Sequence, residues 1–73
     1  MPYDYSKLIG MIVEKFKTRY NFAAALGLSE RSLSLKLNGK VSWTQKEIAK
    51  ACELLAIPDT EIPFYFFAVK VQC

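Results

Sequence analysis

With 73 residues, 52% of them hydrophobic, the chain can build one compact core and is unlike a disordered tail. A chain this short buries only about 60% of its unfolded surface, which makes it marginal alone and makes oligomerisation a common remedy. It has no histidine, so the usual general base is missing, and its net charge of +3 is too modest to name a partner by itself.

The opening MPYDYSK lacks a basic stretch followed by an apolar one, so no signal peptide is read there. No apolar run approaches the roughly 20 residues that span a bilayer. The expected setting is the cytosol, with no membrane partner. Tyr5, Leu8, Ile9, Ile12, Val13 and Phe16 recur at helical spacings and predict an amphipathic helix from about Tyr5 to Phe16. Asp4 is its expected N-cap and puts negative charge at the positive end of the helix dipole. Gly10 lies inside that helix at a cost of about 1 kcal/mol against Ala, which points to a close helix crossing. Lys15 and Lys17 fall at the helix end, where cations suit the dipole.

The stretch from Thr18 to Gly39, TRYNFAAALGLSERSLSLKLNG, reads as a short helix, a tight turn and a second short helix. Thr18 caps the first helix, and Phe22, Ala23 and Leu26 form its apolar face. Gly27 closes it in the left-handed conformation that glycine adopts without steric cost. Leu28 plugs the turn, Ser29 caps the second helix, and Leu33 and Leu37 lie on its buried side. Asn38-Gly39 ends it. This is the helix-turn-helix pattern, whose second helix enters the major groove of DNA.

Thr44 and Glu47 then form a capping-box pair, and Trp43 with Ile48 has the spacing of a hydrophobic staple. A fourth helix is expected from about Thr44 to Ala56, with Ile48, Ala51, Cys52 and Leu55 as its core stripe. Asp59 or Thr60 can cap a short fifth helix through Phe66, with Pro63 in its first turn and Ile62, Tyr65 and Phe66 toward the core. From Phe67 to Cys73 the chain alternates, with Phe67, Val69, Val71 and Cys73 on one face. That reads as a short strand with one buried face. A lone strand is not stable. It therefore either pairs with a second copy, making Phe67, Val69 and Val71 dimerisation residues, or folds back on its own domain.

Cys52 falls on an apolar helix face and reads as core. Two cysteines without histidine make no usual zinc site, and no nucleotide loop or nucleophile elbow is present. No catalysis, metal, cofactor or small-molecule substrate is expected. The charge is uneven. Lys15, Lys17, Arg19, Arg31, Lys36, Lys40, Lys46 and Lys50 are interrupted only by Glu30 and Glu47. A basic middle of this kind suits a polyanion, or is simply a solvated surface.

Ala23, Gly27, Leu28, Ser29, Leu33 and the following Asn38-Gly39 resemble the phage Cro/repressor helix-turn-helix family. The longer string LGLSERSLSLKLNGK, with YDYSKL before it and CELL…IP…YFF after it, is similar to small Cro-like regulators of temperate phages and prophages of Gram-positive bacteria. The resemblance covers nearly all of the chain. It implies an all-α, lambda-repressor-like fold of five helices in a single domain, with the helix-turn-helix at about 18–39 and an extended tail at about 67–73. It departs at Lys36, where family members are commonly apolar; the core role is expected to pass to Leu37.

By the resemblance, the base-reading positions fall on Glu30, Arg31, Ser34 and Leu35. Arg31 can grip guanine O6 and N7 together, and Ser34 can reach base or phosphate. Glu30 can accept from a cytosine amino group, or can simply complement the helix dipole. Leu35 either touches a thymine methyl or is peripheral core. Arg19, Ser29, Lys36, Asn38 and Lys40 are the phosphate-binding candidates. The expected function is a dimeric, sequence-specific regulator binding a double-stranded DNA operator in a phage genetic switch. The alternative is a protein-binding modulator that complexes the main phage repressor, using the same surface with Leu35 and Glu30 as a protein interface.

Overall fold

The structure is a computed structural model and describes residues 3–69. Among these residues it is all-helical: α1 Ser6–Phe16, α2 Arg19–Leu26, α3 Glu30–Leu37, α4 Gln45–Leu55, a 3-10 turn Asp59–Glu61, and α5 Ile62–Phe66. The Cα radius of gyration is 11.5 Å, close to the roughly 11 Å of a globular chain of this length. The helices therefore close on one core.

Local chemistry sets the helix ends. The Thr18 hydroxyl accepts from the Asn21 N–H at 3.1 Å. The Ser29 hydroxyl accepts from the Ser32 N–H at 3.1 Å. At α4 the capping box is complete: Glu47 N–H donates to Thr44 Oγ1 at 3.2 Å and Thr44 N–H donates to Glu47 Oε1 at 2.9 Å. Each bond satisfies a first-turn or capping N–H that the helix itself leaves without a partner. Gly27 closes α2 at φ 85°, and Gly39 follows α3 at φ 77°, both in the region that favours glycine.

Three expectations about α1 change. The N-cap is Tyr5. Asp4 acts one residue further out, its Oδ1 accepting from the Ser6 N–H at 2.9 Å and from the Ser6 hydroxyl at 2.6 Å. Val13 is 50% exposed, because the buried stripe runs through Leu8 and Ile12 and Val13 lies about 100° round the helix from Ile12. Gly10 is exposed, and a Cβ there meets nothing within 4 Å. No helix crosses it closely.

The core is one cluster. Leu8 and Ile12 of α1, Phe22 of α2, Leu33 of α3, Leu55 of α4 and Phe66 of α5 are its most deeply buried large side chains. The Phe16 and Phe22 rings meet edge to face at 5.1 Å, joining α1 to α2. Pro63 sits in the first turn of α5, where its missing N–H matters little. Lys7 covers that helix, its Nζ lying 5.5 Å from the Phe64 ring centre and 5.0 Å from that of Tyr65.

The described start of the tail, residues 67–69, lies against its own chain. Val69 forms an antiparallel bridge with Tyr3, and the Asp4 N–H donates to the Ala68 carbonyl at 2.6 Å. At Val69 the edge is met by the N-terminal segment. The expected buried face is absent at its start, since Phe67 is 49% and Val69 44% exposed. Val71 and Cys73 lie outside the described residues.

Candidate functional site

α3 is the centre of the site. Its N-terminus is fixed by Ser29, whose hydroxyl also donates to Ser32 Oγ at 3.0 Å. Its inner side is Leu33 and Leu37, both buried. That rotation turns Glu30 and Arg31 outward into solvent and leaves Ser34 and Leu35 half-buried along the flank. Leu35 is thus neither fully outside nor core. Its carbonyl accepts the Lys40 N–H at 2.9 Å and the Val41 N–H at 3.3 Å, folding the following loop against the helix.

Of the expected phosphate-binding residues, Ser29, Asn38 and Lys40 are exposed and Arg19 is half-buried at the start of α2. Lys36 is not an exposed cation. It is 5% exposed. Its ammonium pairs with Glu47 Oε1 at 2.9 Å and donates to the Ser42 carbonyl at 2.9 Å. The physical reason is rotation: with Leu33 and Leu37 inward, Lys36 lies one turn beyond Leu33 on the inner flank. Its stem buries while its head finds an acid and a carbonyl. The core role is shared between Lys36 and Leu37. Arg19, Arg31 and Lys40 make no ion pair with another described residue.

Glu47 is the counter-charge. Burial alone would raise its carboxyl, but the Thr44 N–H bond and the Lys36 ammonium outweigh that and hold it below its ordinary value of 4.5. Two features escaped the sequence. Tyr20 is 64% exposed on α2; its position off the Phe22–Leu26 face was the available signal. The second is a cleft of about 340 Å³ lined by Tyr3, Tyr5, Val41, Trp43, Phe66 and Phe67, among others. Trp43 packs edge to face on Phe66 at 5.1 Å, and its buried indole N–H has no acceptor among the described residues. Trp43 also packs against the core beside Ile48, as the staple spacing predicts.

A model of the family described as "Protein of unknown function (DUF739)" matches residues 1–69. The chain belongs to the DUF739 family. Its fold is similar to the solution structure of the modulator of repression of the temperate bacteriophage TP901-1 from Lactococcus lactis. The two are 57% identical over 99% of this chain and 97% of that one, with a TM-score of 0.81. None of the curated proteins matches.

This neighbour corrects the expected function. A regulator that itself reads an operator was the main expectation, and the similar protein is a modulator of repression. The likeness to a phage regulatory protein stands for this DUF739 member, and the neighbour's named role is modulation of repression.

Proposed function

We propose that the chain modulates repression in a temperate phage by contacting a repressor protein, inside the bacterial host cell. The observation that carries this reading is the 57% identity, over nearly the whole chain, to a modulator of repression. The shape of the α3 face supports it. Glu30 and Arg31 offer one charge of each sign in the first turn, and the half-buried Leu35 adds an apolar spot beside them. Mixed charge around an apolar contact suits a protein surface. Burial of Lys36 also removes a cation from the set that suited a polyanion.

The test is fluorescence anisotropy of labelled operator DNA from the same phage, with the phage repressor, the chain, or both. The expected result is no sequence-specific binding by the chain alone, and a shifted repressor–operator curve when the chain is added. Leu35→Glu should weaken that shift about tenfold or more, because it buries a charge at the contact. Operator binding by the chain alone, in preference to scrambled DNA, would overturn the reading.

A further inference from the structure

We propose that Lys36 is a positioning residue: its buried ion pair with Glu47 sets the orientation of α3 against α4, and so the presentation of Glu30, Arg31 and Leu35. The last clause rests on the function proposed above; the setting of α3 does not.

α3 is held against the other helices mainly on one side. Its helix-to-helix packing is chiefly with α2. A short helix held along one side can rock about that side. Leu33 and Leu37 anchor the inner side of α3 in the core, and beyond Leu37 a run of polar contacts joins its C-terminal end through the loop to α4. Gly39 N–H donates to the Lys36 carbonyl at 3.2 Å, and Lys40 and Val41 N–H donate to the Leu35 carbonyl. Those bonds fold the loop onto α3 without reaching α4. Lys36 Nζ spans the gap, donating to the Ser42 carbonyl and pairing with Glu47 Oε1, each at 2.9 Å. The same Glu47 oxygen accepts the Thr44 N–H that opens α4. One carboxylate oxygen therefore joins the end of α3, through the loop, to the start of α4.

Chemistry favours a positioning role over a stabilising one. The Lys36 and Glu47 side chains are 7% and 19% exposed, so both lose much of their hydration. A buried pair is often replaceable by apolar side chains without loss of stability. What an apolar residue cannot supply is direction, because the ammonium must meet a carboxylate and a carbonyl together.

The experiment uses two variants of the full chain. Lys36→Met keeps the stem and removes the charge. Glu47→Gln removes the opposite charge and retains an oxygen for the capping box. Residual dipolar couplings measure the angle between α3 and α4, hydrogen exchange measures protection at residues 39–44, and anisotropy measures affinity for the phage repressor. Melting temperature is followed alongside. We expect both variants to fold, Lys36→Met with a melting temperature near wild type and Glu47→Gln with a lower one, because it leaves the buried Lys36 ammonium without its counter-charge. The α3 couplings should shift relative to α4, exchange in the loop should quicken at least tenfold, and repressor affinity should fall about tenfold. Unchanged couplings and loop exchange in Lys36→Met or in Glu47→Gln overturn the positioning role, whatever the affinity does. Altered couplings with undiminished affinity overturn the link to presentation. A wild-type chain that binds no repressor defeats the proposed function, and the couplings still decide what Lys36 does.

Discussion

Two residues carry left-handed backbone without being glycine. Ala56 ends α4 at φ 56°, and Lys17 joins α1 to α2 at φ 72°. At Lys17 the chain makes a tight γ-turn: Thr18 N–H donates to the Phe16 carbonyl at 2.8 Å, and Asn21 Nδ2 donates to the same oxygen at 3.0 Å. A left-handed L-residue costs about 1–2 kcal/mol. Ala56→Gly should therefore raise stability by roughly 0.5–1 kcal/mol after the entropy of a freer unfolded chain is subtracted. Gly10 is the mirror case, an exposed glycine inside α1 with open space at its Cβ position. Gly10→Ala should stabilise by about 0.5–1 kcal/mol. Urea denaturation checks both. Glu47 adds a pH dependence. Its carboxyl is held below 4.5 when folded, so its contribution is present above that value and is lost as pH falls through the lower, folded value. Melting curves from pH 6 down to 3 should show a loss of stability below about pH 4.5 that Glu47→Gln reduces. Burial, with the Asp59 carboxylate adding to it, raises the Cys52 thiol above its ordinary value. Alkylation of Cys52 at pH 8, read by peptide mass spectrometry, should be slow in the native protein and fast in urea.

The elements follow caps and stripes. The ends of α2, α3 and α4 were legible because Thr18, Ser29, Thr44, Glu47 and Gly27 each perform a local task that few residues perform. Thr44→Ala should cost about 1 kcal/mol, because the Glu47 N–H loses its acceptor at the start of α4. Thermal melts test this, and a loss above about 2 kcal/mol would mean that the Lys36–Glu47 pair fell with the cap. At the α1–α2 junction the bounds were legible, Phe16 ending α1 and Thr18 capping α2, but the left-handed turn at Lys17 was not. No glycine marks it, and Lys17 reads as an ordinary cation at a helix end. The alternating tail left two readings open for a related reason. Period-two spacing signals extended chain, and Val69 does pair with Tyr3. It does not say which chain supplies the partner, nor that the face will be covered.

At the scale of the molecule, one patch of exposed apolar surface borders the aromatic cleft, while Val13, Tyr20 and Phe64 are exposed outside its lining. Tyr3, Val41 and Phe67 rim the aromatic cleft, and Val69 pairs with Tyr3 beside it. The Tyr3 ring meets that of Phe67 at 5.9 Å and that of Tyr5 at 6.3 Å, so the N-terminal segment and the tail pack as one wall. Because the tail edge is met within the chain, sedimentation equilibrium should give the single-chain mass of 8.3 kDa. A dimer mass would show that the exposed wall recruits a second copy. Tyr3→Ala should loosen the tail, seen as faster hydrogen exchange at Asp4, whose N–H holds the Ala68 carbonyl.

By itself the sequence determined the helical class, the helix boundaries to within a residue or so, and the core stripes. Those depend on spacing and on side chains acting on backbone a few positions away. It also carried the alternative that the similar phage protein favours, through Leu35 among the charges of α3. Only the tertiary structure decided the fate of Lys36, the partner of the tail and the emptiness beside Gly10. Each turns on what lies across space from a residue. A lysine on a helix flank is a solvated cation or a buried tie according to whether an acid such as Glu47 faces it, and a distant acid leaves no mark in the local pattern.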